Sequence, residues 1–216
     1  MINYTIAQLR GKSPSKTGVA LTDVEALWLL AHVVGDIHQP LHVGAIYFDK
    51  ETCKQVKDPT GIPGGTDNVA STIGGNAFHL VALAPEPAAP PADNLHLFWD
   101  SAAVNGAMQA AGLPGAEQDF ARLLAAKAPP YWQTDGDVET WAEKWATEIL
   151  PVARTAHTKL IFTFKERKEL DHGKVACSWT TQLSPDYSKW ASDQARKQLA
   201  KAGFRLAAVL KAIYEP

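Results

Sequence analysis

Cysteine, methionine and net charge are all small here, and the first and last of these narrow what the chain can be. There are two cysteines, Cys53 and Cys177. They can pair in an oxidising compartment or stay free, and their distance in sequence decides neither. The formal net charge is −2, so no basic surface announces nucleic-acid binding by electrostatics alone. That does not exclude phosphate substrates, because a bound metal would supply local positive charge. No apolar run reaches membrane-spanning length. The opening residues, MINYTIAQLRGKSPSK, lack the apolar core and small-residue cleavage site of a secretory signal.

What is present is an ordinary globular balance. Hydrophobic residues make up 46% and charged residues 20%, which lets 216 residues bury one core as a single domain, 1–216. Residues 22–37 read as a helix capped by Thr22 or Asp23, with Leu27, Leu30, Ala31 and Val34 as its apolar stripe and Pro40 as its stop. Residues 43–92 carry turn chemistry in TGIPGG, IGGN and PEPAAPPAD, with a short strand pair around AFHLVAL. Asp93 offers an N-cap for a helix over NLHLFWDSAAV. Helical periodicity returns over 116–127, over 137–160 with Trp141, Trp145, Ile149 and Val152 inward and a kink at Pro151, and over 186–213 with Leu199, Ala202, Leu206, Val209 and Leu210 inward. Residues 162–183 are polar and give no clear pattern. The fold class is mainly α, a single-domain helical bundle with a loop-rich insertion.

Two segments carry chemistry. LAHVVGDIHQPLH, residues 30–42, and NLHLFWD, residues 94–100, each hold a His and an Asp four apart, His32 with Asp36 and His96 with Asp100. Positions i and i+4 share a helix face, so each pair can aim an imidazole and a carboxylate at one point. His42 adds a third imidazole. Mixed nitrogen and oxygen donors suit zinc, and three protein ligands leave a fourth position open for water. One such pair is usually a surface pair; two pairs with an added His make a metal site the better reading. The other histidines have plainer readings. His38 reads as a structural hydrogen-bonding residue, His79 as a loop or strand residue, and His157 and His172 as surface residues. Trp28, Trp141, Trp145 and Trp190 read as core, Trp99 as packing under the site, and KERKELDH, 165–172, as a solvated face.

LAHVVGDIHQPLHVG, the GGN at 74–76 and NLHLFWD resemble the nuclease I family, zinc-dependent single-strand-specific nucleases that are also 3′-nucleotidases. ETWAEKWATEILPVA and QLAKAGFRLAAVLKAIY extend the resemblance over nearly the whole chain. It implies a zinc phospholipase C/nuclease-like fold, a monomer exported to a secreted or periplasmic location, and a single-stranded RNA or DNA or nucleotide substrate cleaved to leave 5′-phosphates. Family members hold three zinc ions. By position, His32 and Asp36 would ligate the first, Asp36 would also bridge to the third as the catalytic carboxylate, and His42, His96 and Asp100 would form the second. Asn76 is a candidate substrate contact. The family also places a terminal Trp, two His and an Asp ahead of these segments, whereas residues 1–31 hold no His and only Asp23 and Glu25 as acids. The chain therefore resembles a member lacking its N-terminal segment, and the expectation is a complete second site, a half-built first site and a nearly absent third. A zinc phospholipase C-like phosphodiesterase and a metal-binding remnant without turnover are the competing readings.

Overall fold

The computed structural model describes residues 1–12, 21–58, 65–81, 93–126, 129–170 and 174–215. His172, most of TGIPGG and most of PEPAAPPAD lie outside them.

Helix α1 (Ile2–Leu9) packs against α2 (Asp23–Asp36). Thr22 starts α2 through a reciprocal cap: its Oγ1 accepts from Glu25 N at 3.3 Å, and Glu25 Oε2 accepts from Thr22 N at 2.8 Å. Pro40 does not merely stop α2. It opens a further turn, α3 (Pro40–Val43), at a position where a missing N–H costs nothing, with Gln39 as N-cap. The buried stripe of α2 is Ala26, Leu30 and Val34. Leu27, expected inward, is exposed, and Trp28, expected in the core, is 75% exposed, because two residues from Ala26 and from Leu30 is the opposite helix face.

The loop-rich insertion contains a small antiparallel sheet in the order β2-β1-β3, from β1 (Tyr47–Asp49), β2 (Gln55–Val56) and β3 (Val69–Ser71). The strand β4 (Phe78–Leu80) falls where AFHLVAL predicts one and includes His79. Its partner is distant: β4 runs parallel to β6 (Val175–Gln182), which pairs antiparallel with β5 (Ile161–Glu169). This hairpin occupies the segment that shows no pattern in sequence. β5 is an edge strand whose lysines, arginine and glutamates face solvent, so it lacks the alternation that a half-buried strand displays.

α4 (Leu95–Leu97) begins at Asn94, whose side chain accepts from Leu97 N at 2.9 Å, rather than at Asp93. It leads through a π turn, Phe98–Ala102, into α5 (Ala103–Ala110), followed by α6 (Glu117–Ala125), α7 (Trp141–Thr158) and the long α8 (Pro185–Tyr214). Two cores result. Ile6, Leu30, Val34, Trp145, Val209 and Ile213 join α1, α2, α7 and α8. Phe48, Phe78, Leu95, Trp99, Trp179 and Tyr187 join the strands to α4 and α8, with Phe48 stacked on Trp179 at 3.7 Å between ring centres. Leu199 is 38% exposed although α8 periodicity places it inward, because α5 and α6 leave a gap beside it.

Cys53 and Cys177 are bonded, tying the β1–β2 turn to β6 across 124 residues. Replacing both by Ser removes a long-range crosslink from the unfolded chain and is expected to cost about 2–5 kcal/mol in denaturant unfolding under oxidising conditions. His157, expected at the surface, is 3% exposed, its Nδ1–H donating to Ala153 O at 2.8 Å. Burial holds its pKa below the ordinary 6.5, against the opposing pull of that hydrogen bond. The unfolded chain takes up a proton below about pH 6.5 and the folded chain only at lower pH, so this contribution is present above 6.5 and is lost as pH falls. His157→Asn, which keeps a donor, is expected to lower stability at pH 7 yet flatten its fall between pH 7 and 5 in thermal unfolding.

Candidate metal centre

His42, His96 and Asp100 each offer a ligand atom, and these atoms lie within 4.8 Å of one another. Three elements bring them there. The α3 turn carries His42, and the α4–π segment carries His96 and Asp100. The π turn closes with Ala103 N–H bonded to Phe98 O, an i to i+5 bond whose wider turn still keeps positions four apart adjacent. His96 Nε2 is 3.4 Å from Asp100 Oδ2, and His42 Nε2 is 3.7 Å from Asp100 Oδ1. Bonds of about 2.0–2.1 Å at tetrahedral angles set neighbouring ligand atoms roughly 3.3–3.4 Å apart. The donor set suits a zinc-sized cation, and the one-atom-per-residue spacing, at most 4.8 Å, is of the order such a site needs.

The other two candidate residues extend the cluster along α2. Asp36 Oδ2 is 3.8 Å from His42 Nδ1 and 3.2 Å from His32 Nε2. The His42 ring thus lies between two carboxylates. His32 is at the rim, its side chain 70% exposed, with Asp36 as its ion-pair partner among the described residues. All five residues predicted as ligands are contiguous, but three form the compact group and two form an arm leading to the surface. Trp99, 2% exposed, packs beneath, its indole N–H donating to Tyr187 OH at 3.1 Å. A cleft of about 450 Å³ passes over Asp36, His42, Trp99 and Asp100 to α8.

Backbone and neighbouring side chains aim the donors. Gly74 O is 2.8 Å from His96 Nδ1, so that nitrogen carries the proton and Nε2 presents its lone pair towards Asp100. Gly74 and Gly75 adopt φ of +59° and +93°. A Cβ on Gly74 would lie 2.8 Å from Leu41 O and 3.2 Å from His96 Nδ1, which is the physical reason for a glycine there. Asn76 is exposed on the same turn, its Nδ2 donating to Ile73 O at 2.8 Å.

Gln39, which no pattern in the sequence singles out, donates from Nε2 to Asp100 Oδ1 at 3.0 Å while its Oε1 accepts from Leu41 N. Its position just before a helix-opening proline was the available signal. His38 has the structural role expected of it. Its Nδ1–H donates to Val34 O at 2.7 Å, and Nε2 accepts from Arg205 Nη1 at 3.0 Å. Burial, with Arg205 and Lys201 nearby, lowers its pKa to about 4 against the raising effect of the Val34 bond, so it is neutral at pH 7. Arg205 itself, 167 residues away in sequence, could not have been found from local pattern.

The pattern of the S1/P1 nuclease family matches residues 1–215. Endonuclease 5 of Arabidopsis thaliana is 26% identical over 224 residues, covering 99% of this chain and 59% of that protein. Endonuclease 4 of Arabidopsis thaliana is 48% identical over 44 residues, 20% of this chain and 15% of that protein. The chain thus spans about three-fifths of the length of the relative that it matches throughout.

Gly74→Ala is expected to displace the His96 ring and weaken metal binding by about 10–100-fold, as loss of an outer-shell partner does. Competition with a chromophoric chelator measures this. Unchanged affinity would show that the Gly74 carbonyl does not set the ring.

Proposed function

Because the chain belongs to the S1/P1 nuclease family, we propose that it is a metal-dependent hydrolase of phosphodiester bonds. It acts as an endonuclease on single-stranded RNA or DNA and as a 3′-nucleotidase, leaving 5′-phosphates. The observation that carries this reading is the convergence of His42, His96 and Asp100, with Asp36 adjoining, beside an open cleft lined by Asp36, His42 and Asp100. In this reading zinc is held by His42, His96 and Asp100, and a second ion by Asp36 and His32. Bound zinc supplies a Lewis acid for the phosphoryl oxygens and lowers the pKa of water.

The chain's residues do the rest. Gly74 fixes the His96 tautomer, and Gln39 fixes the Asp100 carboxylate. Asp36 Oδ2 lies 3.2 Å from His32 Nε2 and 3.8 Å from His42 Nδ1, and in this reading it takes the proton of a water approaching phosphorus. Asn76, on the turn that holds His96, is the candidate contact to substrate. The bonded Cys53–Cys177 pair fits an exported protein. Among the described residues, no helix is long and apolar enough to cross a membrane. The exposure of His32, with Asp36 as its one carboxylate neighbour among the described residues, supports a second reading: a chain that binds metal at the compact group without turnover.

Purified chain with added zinc, assayed on single-stranded RNA, single-stranded DNA, 3′-AMP and phosphatidylcholine, separates these readings. Cleavage of both nucleic acids and of 3′-AMP is expected, with at least a roughly hundredfold loss in Asp100→Asn as a metal ligand is weakened. Hydrolysis of the lipid alone, or tight zinc uptake with no turnover on any substrate, would overturn the nuclease reading.

A further inference from the structure

Beside the metal centre, one polar side chain of α8 is buried without a partner. Gln198 is 6% exposed and lines the cleft that also takes in Asp36, His42 and Asp100. Its amide makes no hydrogen bond among the described residues, yet neither amide atom is sealed off from the cleft. The other buried polar residues at this end of α8, Lys201 and Arg205, are both paired to Glu148. Buried polar groups are nearly always bonded, and an amide carries two donors and an acceptor. One that is unpaired inside the protein and turned to an open cleft is placed to pair with a ligand.

The walls around this amide are apolar. Ala195 and Leu199 flank it on α8, and Val104 lines the same cleft from α5. Val104 and Leu199 also line an adjoining cavity of about 460 Å³ whose other walls include Met108, Phe120 and Phe204, with Glu117 as its one charged residue. An inorganic ion gains nothing from such walls. An acyl chain would cover them but leave the amide unpaired. A nucleobase has two apolar faces and an edge that sets a donor beside an acceptor, the pattern an amide matches. We propose that this stretch of the cleft is a base subsite, in which the base next to the hydrolysed phosphate lies over Val104 and Leu199 while Gln198 pairs with its edge. The reach agrees. Val104 is four residues beyond Asp100, about one turn or ~5 Å along the helix, a span comparable to the sugar between base and phosphate. This subsite deepens the nuclease reading and rests on it for the identity of the substrate. Adenine, whose amino group and neighbouring ring nitrogen an amide pairs with at two points, is the probe of choice.

Adenosine and purine riboside, which lacks only the amino group, are titrated by calorimetry into the intact chain without added metal. Neither carries a phosphate, so their binding needs no turnover and no metal ion. Saturable binding of adenosine about tenfold tighter than purine riboside is expected, the size of one hydrogen bond. Gln198→Leu keeps the side-chain volume and removes the amide. It is expected to bind both nucleosides alike, to keep a Tm near that of the parent, and to raise the KM for 3′-AMP about tenfold. The nucleoside comparison in the parent chain decides the matter even if Gln198→Leu fails to fold. Selective adenosine binding with no hydrolysis of 3′-AMP would sink the nuclease reading and leave the subsite standing. Equal affinity for the two nucleosides, unchanged adenosine affinity in Gln198→Leu, or saturable binding of decanoate but of neither nucleoside would each overturn the subsite, and hydrolysis of 3′-AMP alongside any of these would leave the nuclease reading intact.

Discussion

The hydrogen bond from Arg205 to His38 holds the metal-bearing turn in place. His38 lies between Asp36 and His42, and its ring is fixed at both nitrogens, by Val34 O within α2 and by the guanidinium of α8. That contact sits between the end of α2 and the start of α3, which Pro40 and the Gln39 cap open, and so anchors the turn that carries Asp36 and His42. It works only with a neutral imidazole, since a protonated ring would present a hydrogen to the arginine. Burial and the neighbouring cations keep it neutral. The cost of burying Arg205 is met in part by Glu148 and by the Trp145 ring, 5.3 Å from the guanidinium carbon.

The cluster in front of this anchor is preorganised. Its imidazoles and carboxylates lie close together, and hydrogen-bond partners behind them hold them there. Two of those partners, the Gly74 carbonyl and the Gln39 amide, come from the segments that precede and follow α3, so α3 is clamped between the groups it must align. The disulfide and the aromatic core around Trp179 hold the insertion against the β5–β6 hairpin, which keeps the Gly74 turn within reach of His96.

The helices and the clustering of the candidate residues were largely legible in the sequence, for physical reasons. A capping box, an i,i+4 pair and a proline at a helix start are local, and local rules sufficed for α2, α6, α7, α8 and the five candidate ligands. The failures are non-local except at Trp28, which helix periodicity by itself puts opposite the buried stripe. Trp28 read as core because a large aromatic is usually buried, yet helix geometry turned it outward. His157 read as a surface residue, yet it packs near Phe78 from another part of the chain. The β5–β6 hairpin was hidden because its edge strand is charged on both faces. The parallel pairing of β4 with β6 joins segments about a hundred residues apart, a range at which residue pattern sets no register.

The sequence by itself determined which residues could be ligands and on which face of its helix each pair lies, because helical periodicity is a property of the local backbone. Only the tertiary structure decided that His42, His96 and Asp100 form the compact group while His32 remains at the rim, that Cys53 meets Cys177, and that Arg205 reaches His38. Those outcomes follow from how the two cores pack α8 and the strands around the α2–α3 turn. Packing is a relation between distant segments, and local pattern does not carry it.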